Sequence, residues 1–397
     1  MIQVLECVAG VGVVAIMLLD IFLAVVVPRR APNIGRQLRV SGQAVAGLWR
    51  LWRQIGLRVT TVERREALLG TFGPAIVIVL LFLWVSGLMF GYGLVLDGLR
   101  SELRPEPENF GTSLYFAGVA MLTIGFGDFV AVGPWARLVS LVAAATGLGL
   151  FALVITLLFT LYGSFQRRER AVVVLEAGAG APPSGVTLLE TYALGGMLDD
   201  LPRVFAEWQS WAAEVLDTHL AYPVLAYFRS SHDNDSWISS LGAVMDAATL
   251  VLTTIEGGPK GWAKLSRAIG NHCFEDLVAQ FHLEADTEVG VEREEFDAAR
   301  QRLAEAGYTL RGADAAWADF ARLRSQYAGR VNALASYWAT PPAQWIGDRS
   351  PLRFPQRHAT APAAGPPADP GSGSSPRASR QPTPPSRAST SAPTPRA

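Results

Sequence analysis

The chain has few cysteines and few lysines, and the first scarcity limits the classes of protein to which it can belong. Among 397 residues only Cys7 and Cys273 are cysteines, one in an apolar run and one in a polar region. Two cysteines so placed make neither a disulfide framework nor a cysteine metal site. Lys260 and Lys264 are the only lysines, and arginine carries the rest of the positive charge. We infer no function from that second bias.

Signatures of catalysis and of nucleotide binding are also missing. We find no nucleophile–base arrangement and no phosphate-binding loop. Residues 171–180 look like a strand entering a glycine turn, but Pro183 stands where the third glycine of G-x-G-x-x-G belongs, and no βαβ alternation follows. We therefore expect neither an enzyme nor a nucleic acid partner, and no cofactor.

Metal-binding patterns are weak. His232–Ser236 lacks the glycine and the final glutamate of a calcium loop, and helix capping by Asp235 or Ser236 is the better interpretation. His272, Cys273 and His282 match no strong ligand spacing. We expect no bound metal apart from a permeating ion.

Apolar residues, by contrast, are abundant. They make up half of the chain, and the mean hydropathy is +0.24, which favours a membrane protein. Three runs, Cys7–Val27, Ala67–Leu96 and about 135–163, reach the roughly 20 residues that a spanning helix needs. A cleaved signal peptide is the alternative for the first run, but no basic residue precedes it and no small-x-small site follows.

The first run and the segment after it contain the N-terminal charges. Asp20 is a functional candidate because a carboxylate is costly in lipid, but we favour a pair with Arg29 or Arg64. Residues 28–66 carry nine arginines against two glutamates, which predicts a cytoplasmic segment. Its apolar helical face predicts a helix in the membrane interface. That face consists of Leu48, Leu51, Trp52 and Ile55.

Six residues between the second and third runs stand apart: Thr123, Ile124, Gly125, Phe126, Gly127 and Asp128. Two glycines in an apolar region suit a backbone that is neither helix nor strand, because glycine accepts positive φ and can turn successive carbonyls the same way. Irregular backbone at membrane depth persists only where protein buries it or where it lines a watery path. A symmetric row of carbonyls can replace the water shell of a cation. A plain turn is the alternative, and the flanking runs disfavour it.

This hexapeptide resembles the selectivity filter of the potassium channel pore-loop superfamily, and residues 67–163 resemble the two-helix pore unit of a prokaryotic-type ion channel. The resemblance implies that Thr123–Asp128 form the filter, with backbone carbonyls as K⁺ ligands and Asp128 bracing the loop from behind. Phe126 stands where tyrosine is commonest and lacks its hydroxyl. Met121 and Leu122 stand where many members carry a threonine, a departure that concerns selectivity rather than the pore loop.

The flanks of the hexapeptide supply further candidates. Asn109 can cap a short helix over about 110–122, which is too short to span and must return as the filter. In the resembled channels a hinge glycine of the inner helix stands where Gly147 stands here, and Gly149 is a rival. One helical face could line the inner cavity or, alternatively, pack on the second helix. Its members are Leu148, Phe151, Ile155 and Phe159.

These features predict an all-α membrane protein: transmembrane helices with a re-entrant pore helix and filter loop, plus a soluble helical cytosolic domain. The expected location is the cell membrane, crossed by three helices, with the N-terminus outside and the C-terminus in the cytoplasm. One chain carries one filter loop, so a central pore in the lipid bilayer implies a homotetramer. The predicted domains are 1–66 (first spanning helix and interfacial helix), 67–163 (pore), 164–349 (cytosolic helices) and 350–397 (tail).

The cytosolic part carries no recognisable ligand signature. Its predicted helices are about 186–218, 219–230, 236–255, 261–284, 293–306 and 314–338. Segment 236–255 is apolar enough for a fourth span, but Asp246 and the lack of basic flanks favour a buried soluble helix. Residues 350–397 have a Pro- and Ser-rich composition that predicts disorder. The partner or ligand of this part stays open.

The sequence therefore predicts a tetrameric, potassium-selective channel that conducts passively. A weakly selective cation channel is one alternative. A membrane-anchored sensor or scaffold with a non-conducting pore unit is another, and it would bind a partner through residues 185–345.

Overall fold

The computed structural model describes residues 1–27, 40–230, 235–285 and 290–348, and these residues are predominantly helical. The predicted all-α membrane class is confirmed. The helices of the N-terminal half, in chain order, are α1 (Ile2–Ile21), α2 (Val40–Arg58), α3 (Val62–Gly70), α4 (Phe72–Gly98), α5 (Phe110–Met121) and α6 (Pro134–Ala179). Those of the C-terminal half are α7 (Gly185–Leu194), α8 (Leu201–Ala221), α9 (Trp237–Thr253), α10 (Lys260–Phe281), α11 (Arg293–Glu305) and α12 (Ala313–Trp338). The strands β1 (Leu103–Arg104) and β2 (Val130–Ala131) pair antiparallel.

Among the residues that the structure describes, three helical stretches are long and apolar enough to cross a membrane: Ile2–Val26, Val62–Gly98 and Pro134–Ala179. The first of them, α1 with a π-helical turn at Phe22–Val26, packs along α4. Their backbones approach closely, because a Cβ added to Gly10 would lie 2.6 Å from the carbonyl oxygen of Gly91. Small residues that admit a neighbouring backbone are a usual device of helix packing in membranes.

Asp20 does not have the partner that its sequence context predicts. It is buried, and it accepts hydrogen bonds from Nε1 of Trp84 (2.8 Å) and from the backbone N (3.2 Å) and Oγ (3.0 Å) of Ser41. The predicted pair with Arg64 is therefore wrong, and Arg29 lies outside the described residues. The carboxylate instead joins α1, the first turn of α2 and α4, because neutral donors there can satisfy a buried anion without a second charge.

The interfacial position of α2 stays a prediction, but the structure shows which side of the helix its own chain buries. Trp49, outside the predicted set, is the buried residue, and its ring meets those of Phe72 (5.0 Å between centroids) and Tyr227 (5.3 Å) edge-on. Leu51 and Ile55 remain exposed. The side of α2 that carries Trp49 faces the rest of the chain, because burial of a large aromatic ring against other rings stabilises the fold more than burial of two aliphatic side chains does.

The third long helix extends far beyond its predicted end. A spanning helix over about 135–163 was expected, but α6 continues without a break to Ala179. Residues 171–180 are thus not a strand: Ala171–Ala179 form its last turns. Gly180, at φ +78°, ends the helix in a conformation that suits glycine.

The C-terminal helices pack around α9. Every residue of α9 except Leu252 is buried, and α7, α8, α10, α12 and α6 all contact it. This agrees with the expected buried helix at 236–255 and not with a fourth span. Ser236 caps α9 by accepting from the backbone N of Ile238 (3.3 Å), whereas His232, Asp233 and Asn234 lie outside the described residues.

Two predicted helices of this region have different bounds. The single helix expected over 186–218 is divided into α7 and α8 by a turn at Gly195–Gly196, where Gly196 has φ +67°. The helix expected over 219–230 is a short 3₁₀ segment, Pro223–Tyr227, because proline cannot continue α8. The predicted tail, 350–397, lies outside the described residues.

Candidate ion-conduction site

The short helix α5 brings the chain to the hexapeptide. Asn109 caps it as predicted, its Oδ1 accepting from the backbone N of Thr112 (3.1 Å). The helix ends at Met121, after 12 residues, which is far less than a bilayer needs. Its carbonyl end points at the following residues, so its dipole is favourable for a cation there.

The sign of the backbone angle φ alternates along the hexapeptide. Thr123, Gly125 and Gly127 have φ of +55°, +65° and +81°, whereas Ile124 and Phe126 do not have positive φ. Positive φ is rare for a β-branched residue such as Thr123. Alternation of this kind can turn successive carbonyl groups toward the same side of the chain. The role of these carbonyl groups as a filter stays a prediction.

Three hydrogen bonds hold the hexapeptide against α5. At its inner end the backbone N of Ile124 donates to the carbonyl oxygen of Val119 (2.9 Å), and that of Thr123 donates to Ala120 (3.1 Å). At its outer end the hydroxyl of Tyr115 donates to Oδ2 of Asp128 (2.9 Å). Tyr115 was not among the predicted site residues. Asp128 lies 13 residues further along the chain and outside α5, so no local pattern in the sequence identifies this contact.

The loop before α5 is tied to the chain that follows the hexapeptide. Strand β1 pairs with β2, and Oε2 of Glu102 accepts from the backbone N of Ala136 (2.8 Å), in the first turn of α6. Asp97 accepts from the hydroxyl of Ser113 in α5 (2.8 Å). Two carboxylates, one in the last turn of α4 and one in the loop, thus hold the first turns of α5 and α6.

The face of α6 that was predicted to line a cavity points away from the rest of its own chain. Leu148, Phe151, Ile155 and Phe159 are between 50% and 77% exposed. Leu150, Val154, Leu157 and Leu161, on the other side of the helix, are buried. The alternative, that the predicted face packs on the second helix, does not fit this arrangement.

The two candidate hinge glycines have different surroundings. A Cβ on Gly147 would lie 1.8 Å from the carbonyl oxygen of Met121, so α6 crosses the end of α5 at this point with no room for a side chain. A Cβ on Gly149 would meet nothing within 4 Å. Close packing therefore accounts for Gly147, and the hinge role of both glycines stays a prediction.

C-terminal to Gly147 and Gly149, Arg168 connects α6 to the C-terminal helices. This buried side chain donates to the carbonyl oxygens of Leu225 (3.0 Å) and Phe228 (2.5 Å) and to Oε1 of Glu169 (3.0 Å). Nε2 of His219 lies 3.1 Å from Nη1 of Arg168. The sequence analysis did not identify this bond network.

The His219 imidazole is neutral in this arrangement. Its Nδ1 lies 2.8 Å from the carbonyl oxygen of Val215 and donates to it, so Nε2 accepts from Arg168. Burial first, and the Arg168 charge second, hold the pKa of His219 well below its ordinary value. A polar network thus joins the C-terminal part of α6 to the C-terminal helices, and within it Arg168 is charged while His219 is neutral.

No metal cluster was found in the part of the chain that the structure describes, where no three His, Cys, Asp or Glu residues lie close enough to hold an ion. Cys273 is buried, and burial raises the pKa of its thiol. His272 is exposed and lies 3.6 Å from Asp276.

Comparison with known proteins finds a similarity in the central part of the chain. Residues 75–163 match the model of a protein family described as "Ion channel". A stretch of 205 residues is 24% identical to the uncharacterized membrane protein YdjJ of Bacillus subtilis (strain 168). It covers 50% of this chain and 58% of that protein, so the chain spans less than two thirds of this relative. No solved structure matches the chain.

Proposed function

We propose that this chain is one subunit of a potassium-selective channel in which four copies surround a single pore and K⁺ flows passively down its gradient. The observation that carries this proposal is the alternation of positive φ at Thr123, Gly125 and Gly127. Carbonyl groups turned to one side by that alternation supply rings of oxygen ligands for a dehydrated cation when copies are arranged around an axis.

The tetramer follows from the incompleteness of one chain. All residues from Leu122 to Asp128 are exposed in the single chain, and so is the predicted lining face of α6. One loop contributes one oxygen to each ring, and further copies related by closed symmetry complete the ring and cover the apolar face. The acidic and backbone contacts of Asp97, Glu102 and Asp128 hold the loop in place within each copy.

Potassium selectivity, rather than a weakly selective pore, is favoured by the packing behind the hexapeptide. Met121 is 2% exposed, and its side chain is enclosed by its own subunit, so this departure from the common threonine does not add a thioether to the ion path. Phe126 is 68% exposed and provides no hydroxyl. The Tyr115–Asp128 hydrogen bond supplies a polar tie between the loop and α5 in its place.

The test is K⁺ flux into liposomes that contain the purified protein, with Na⁺ flux measured in parallel. Gly125→Ala forces a side chain into φ +65°, where L residues are strained, and should abolish the flux. Gly12→Ala is the matched control, because a Cβ there meets nothing within 4 Å and the helix conformation is retained.

Each outcome separates the hypotheses. Flux that favours K⁺, is retained in Gly12→Ala and is lost in Gly125→Ala supports the proposal. Equal K⁺ and Na⁺ flux would leave a cation pore and reject selectivity. The absence of flux would favour the scaffold hypothesis, whose partner would then be sought with residues 185–345. A native mass below that of four subunits would reject the tetramer.

A further inference from the structure

The exposed face of α6 does not stop where the apolar span ends. Beyond Phe159, the residues Tyr162, Gln166, Arg170, Val173 and Ala177 are exposed, in steps of three or four residues. An α-helix turns 100° per residue, so these residues share one face with Leu148, Ile155 and Phe159. We call the five residues from Tyr162 to Ala177 the cytoplasmic stripe of α6.

The opposite face of the same segment is fully occupied. Ser164, Arg168, Val172, Leu175 and Ala179 are buried against the C-terminal helices of the same chain. The extension of α6 is therefore a two-sided element, with its own helical domain on one side and nothing from its own described residues on the cytoplasmic stripe. From Phe159 to Ala177 this element rises by about 27 Å.

We infer that the cytoplasmic stripe is an interface between copies of this chain, which surround a continuation of the ion path below the membrane. The inference rests on the proposed tetrameric channel and extends it. Since α6 is one unbroken helix, a face that looks toward the symmetry axis at Ile155 looks toward the same axis at Val173, apart from a small tilt.

The side chains of the stripe suit other copies rather than solvent. Val174, beside the stripe, is 67% exposed and Val173 is 38% exposed, in a segment that otherwise reads as soluble. Like residues meet when identical helices surround an axis, and two adjacent valines supply an apolar contact between neighbouring helices. The continuity with the face at Leu148–Phe159 selects a second copy of the chain over an unrelated protein.

Arg170 gives this path a positive charge. Its neighbours are paired, Arg167 with Glu214 and Arg168 with Glu169, whereas Arg170 has no ion-pair partner among the described residues. Four copies place four guanidinium groups around the cytoplasmic approach to the filter. Like charges lining a cleft lower the local concentration of a cation, so Arg170 limits K⁺ entry from the cytoplasm and does so most at low ionic strength.

The first test is disulfide cross-linking of the protein in its membranes, a readout that needs no ion flux. Val174→Cys and Ala177→Cys should give covalent dimers under mild oxidation. Ala318→Cys is the matched control, since Ala318 is exposed on α12, away from the stripe, and both native cysteines are present in all three proteins. The interface is supported if dimers form in Val174→Cys and Ala177→Cys and do not form in Ala318→Cys.

A tetrameric, conducting protein without dimers at either position would overturn the inference while leaving the proposed function intact. Dimers without K⁺ flux would uphold the interface and count against the channel. Dimers that form equally in Ala318→Cys would overturn the inference, because they would report collisions rather than a fixed contact.

The second test measures conductance through single channels. Arg170→Gln should raise the K⁺ conductance by about twofold or more at about 20 mM K⁺ and change it little at about 1 M, where charges are screened within about 3 Å. Arg322→Gln removes an exposed arginine of α12 that pairs with Asp319 and serves as the control. Equal conductance of Arg170→Gln and the native protein at both salt concentrations would overturn the part of the inference that concerns the ion path.

Discussion

The hydroxyl of Tyr115 donates to Oδ2 of Asp128 across 2.9 Å, so a side chain of α5 holds the outer end of the hexapeptide. Asp128 also accepts from the backbone N of Phe129 through Oδ1 (3.1 Å). The ring of Tyr115 meets that of Phe129 edge-on, with 6.3 Å between centroids. The loop thus has a polar and an aromatic attachment at the same point.

Tyr115→Phe should lower K⁺ flux several-fold and reduce the preference for K⁺ over Na⁺. The substitution removes the hydrogen bond to Asp128 and retains the aromatic contact, so the loop loses a positional restraint and little else. Liposome flux in K⁺ and Na⁺ measures both quantities. Tyr222→Phe, which alters a half-buried tyrosine at the end of α8, is the comparison, and equal effects of the two substitutions would argue against a bracing role for Tyr115.

Gly147→Ala should destabilise the protein and abolish flux. Its Cβ would lie 1.8 Å from the carbonyl oxygen of Met121, and forced overpacking of this kind typically costs about 1–3 kcal/mol. Gly149→Ala meets no such obstacle and should stabilise the helix by up to about 1 kcal/mol. Thermal unfolding in detergent, with flux as a second readout, compares the two. If Gly147→Ala changed neither the unfolding temperature nor the flux, α5 and α6 would not be in contact as they are in the structure.

The loss of flux in Gly149→Ala without loss of stability would identify that glycine as a hinge. Retained flux would remove it from the hinge candidates and leave Gly147 with its packing role.

Trp84→Phe should lower the thermal stability of the protein. It removes the indole donor to Asp20 and leaves a buried carboxylate with one partner fewer, which costs about 1–3 kcal/mol. Trp135→Phe changes a tryptophan that is 63% exposed and should have little effect in detergent. Similar unfolding temperatures for both variants would mean that Asp20 does not depend on Trp84. Ser41→Ala tests the second partner of Asp20 in the same assay.

The stability of the protein should fall as the pH drops below about 6.5, the ordinary pKa of histidine. The folded protein holds His219 neutral by burial and by the charge of Arg168, whereas the unfolded chain binds a proton readily, so acid favours unfolding. The contribution is present in full above that pH and is lost at up to about 1.4 kcal/mol per pH unit below it.

His219→Gln should reduce this pH dependence, because glutamine can still accept from Arg168 but does not titrate. Unfolding temperatures at about pH 7.5 and about pH 5.5 give the measurement, on either side of the histidine pKa. His272→Gln is the matched control, since His272 is exposed near Asp276. An unchanged slope in His219→Gln would assign the acid sensitivity to other groups.

Elements with a strong local signal were predictable. The apolar runs, the short helix α5 and its Asn109 cap follow from length, hydropathy and the chemistry of one side chain, all of which act over a few residues. The positive φ of Gly125 and Gly127 follows from the one residue type that tolerates it. The buried helix α9 was predictable for a similar reason, because Asp246 within an apolar run excludes a simple lipid-facing helix.

The partners of buried polar groups were not predictable. Asp20 was expected beside an arginine and binds Ser41 and Trp84 instead, because the choice depends on which helices meet at that depth. Arg168 was assigned no partner from the sequence, yet it binds carbonyl groups 57 and 60 residues away. Helical periodicity in α2 gave an apolar face but not its rotation, which the aromatic contacts of Trp49 decide.

The sequence by itself determined the class of the protein, the three apolar spans and a hexapeptide with glycines at alternate positions, since each depends on side-chain chemistry within a short stretch. Only the tertiary structure decided that α6 continues to Ala179, that Tyr115 reaches Asp128 and that Gly147 touches the end of α5. The reason is physical: helix ends, hydrogen-bond partners and close contacts are set by which distant surfaces exclude water together, and no local pattern records that choice.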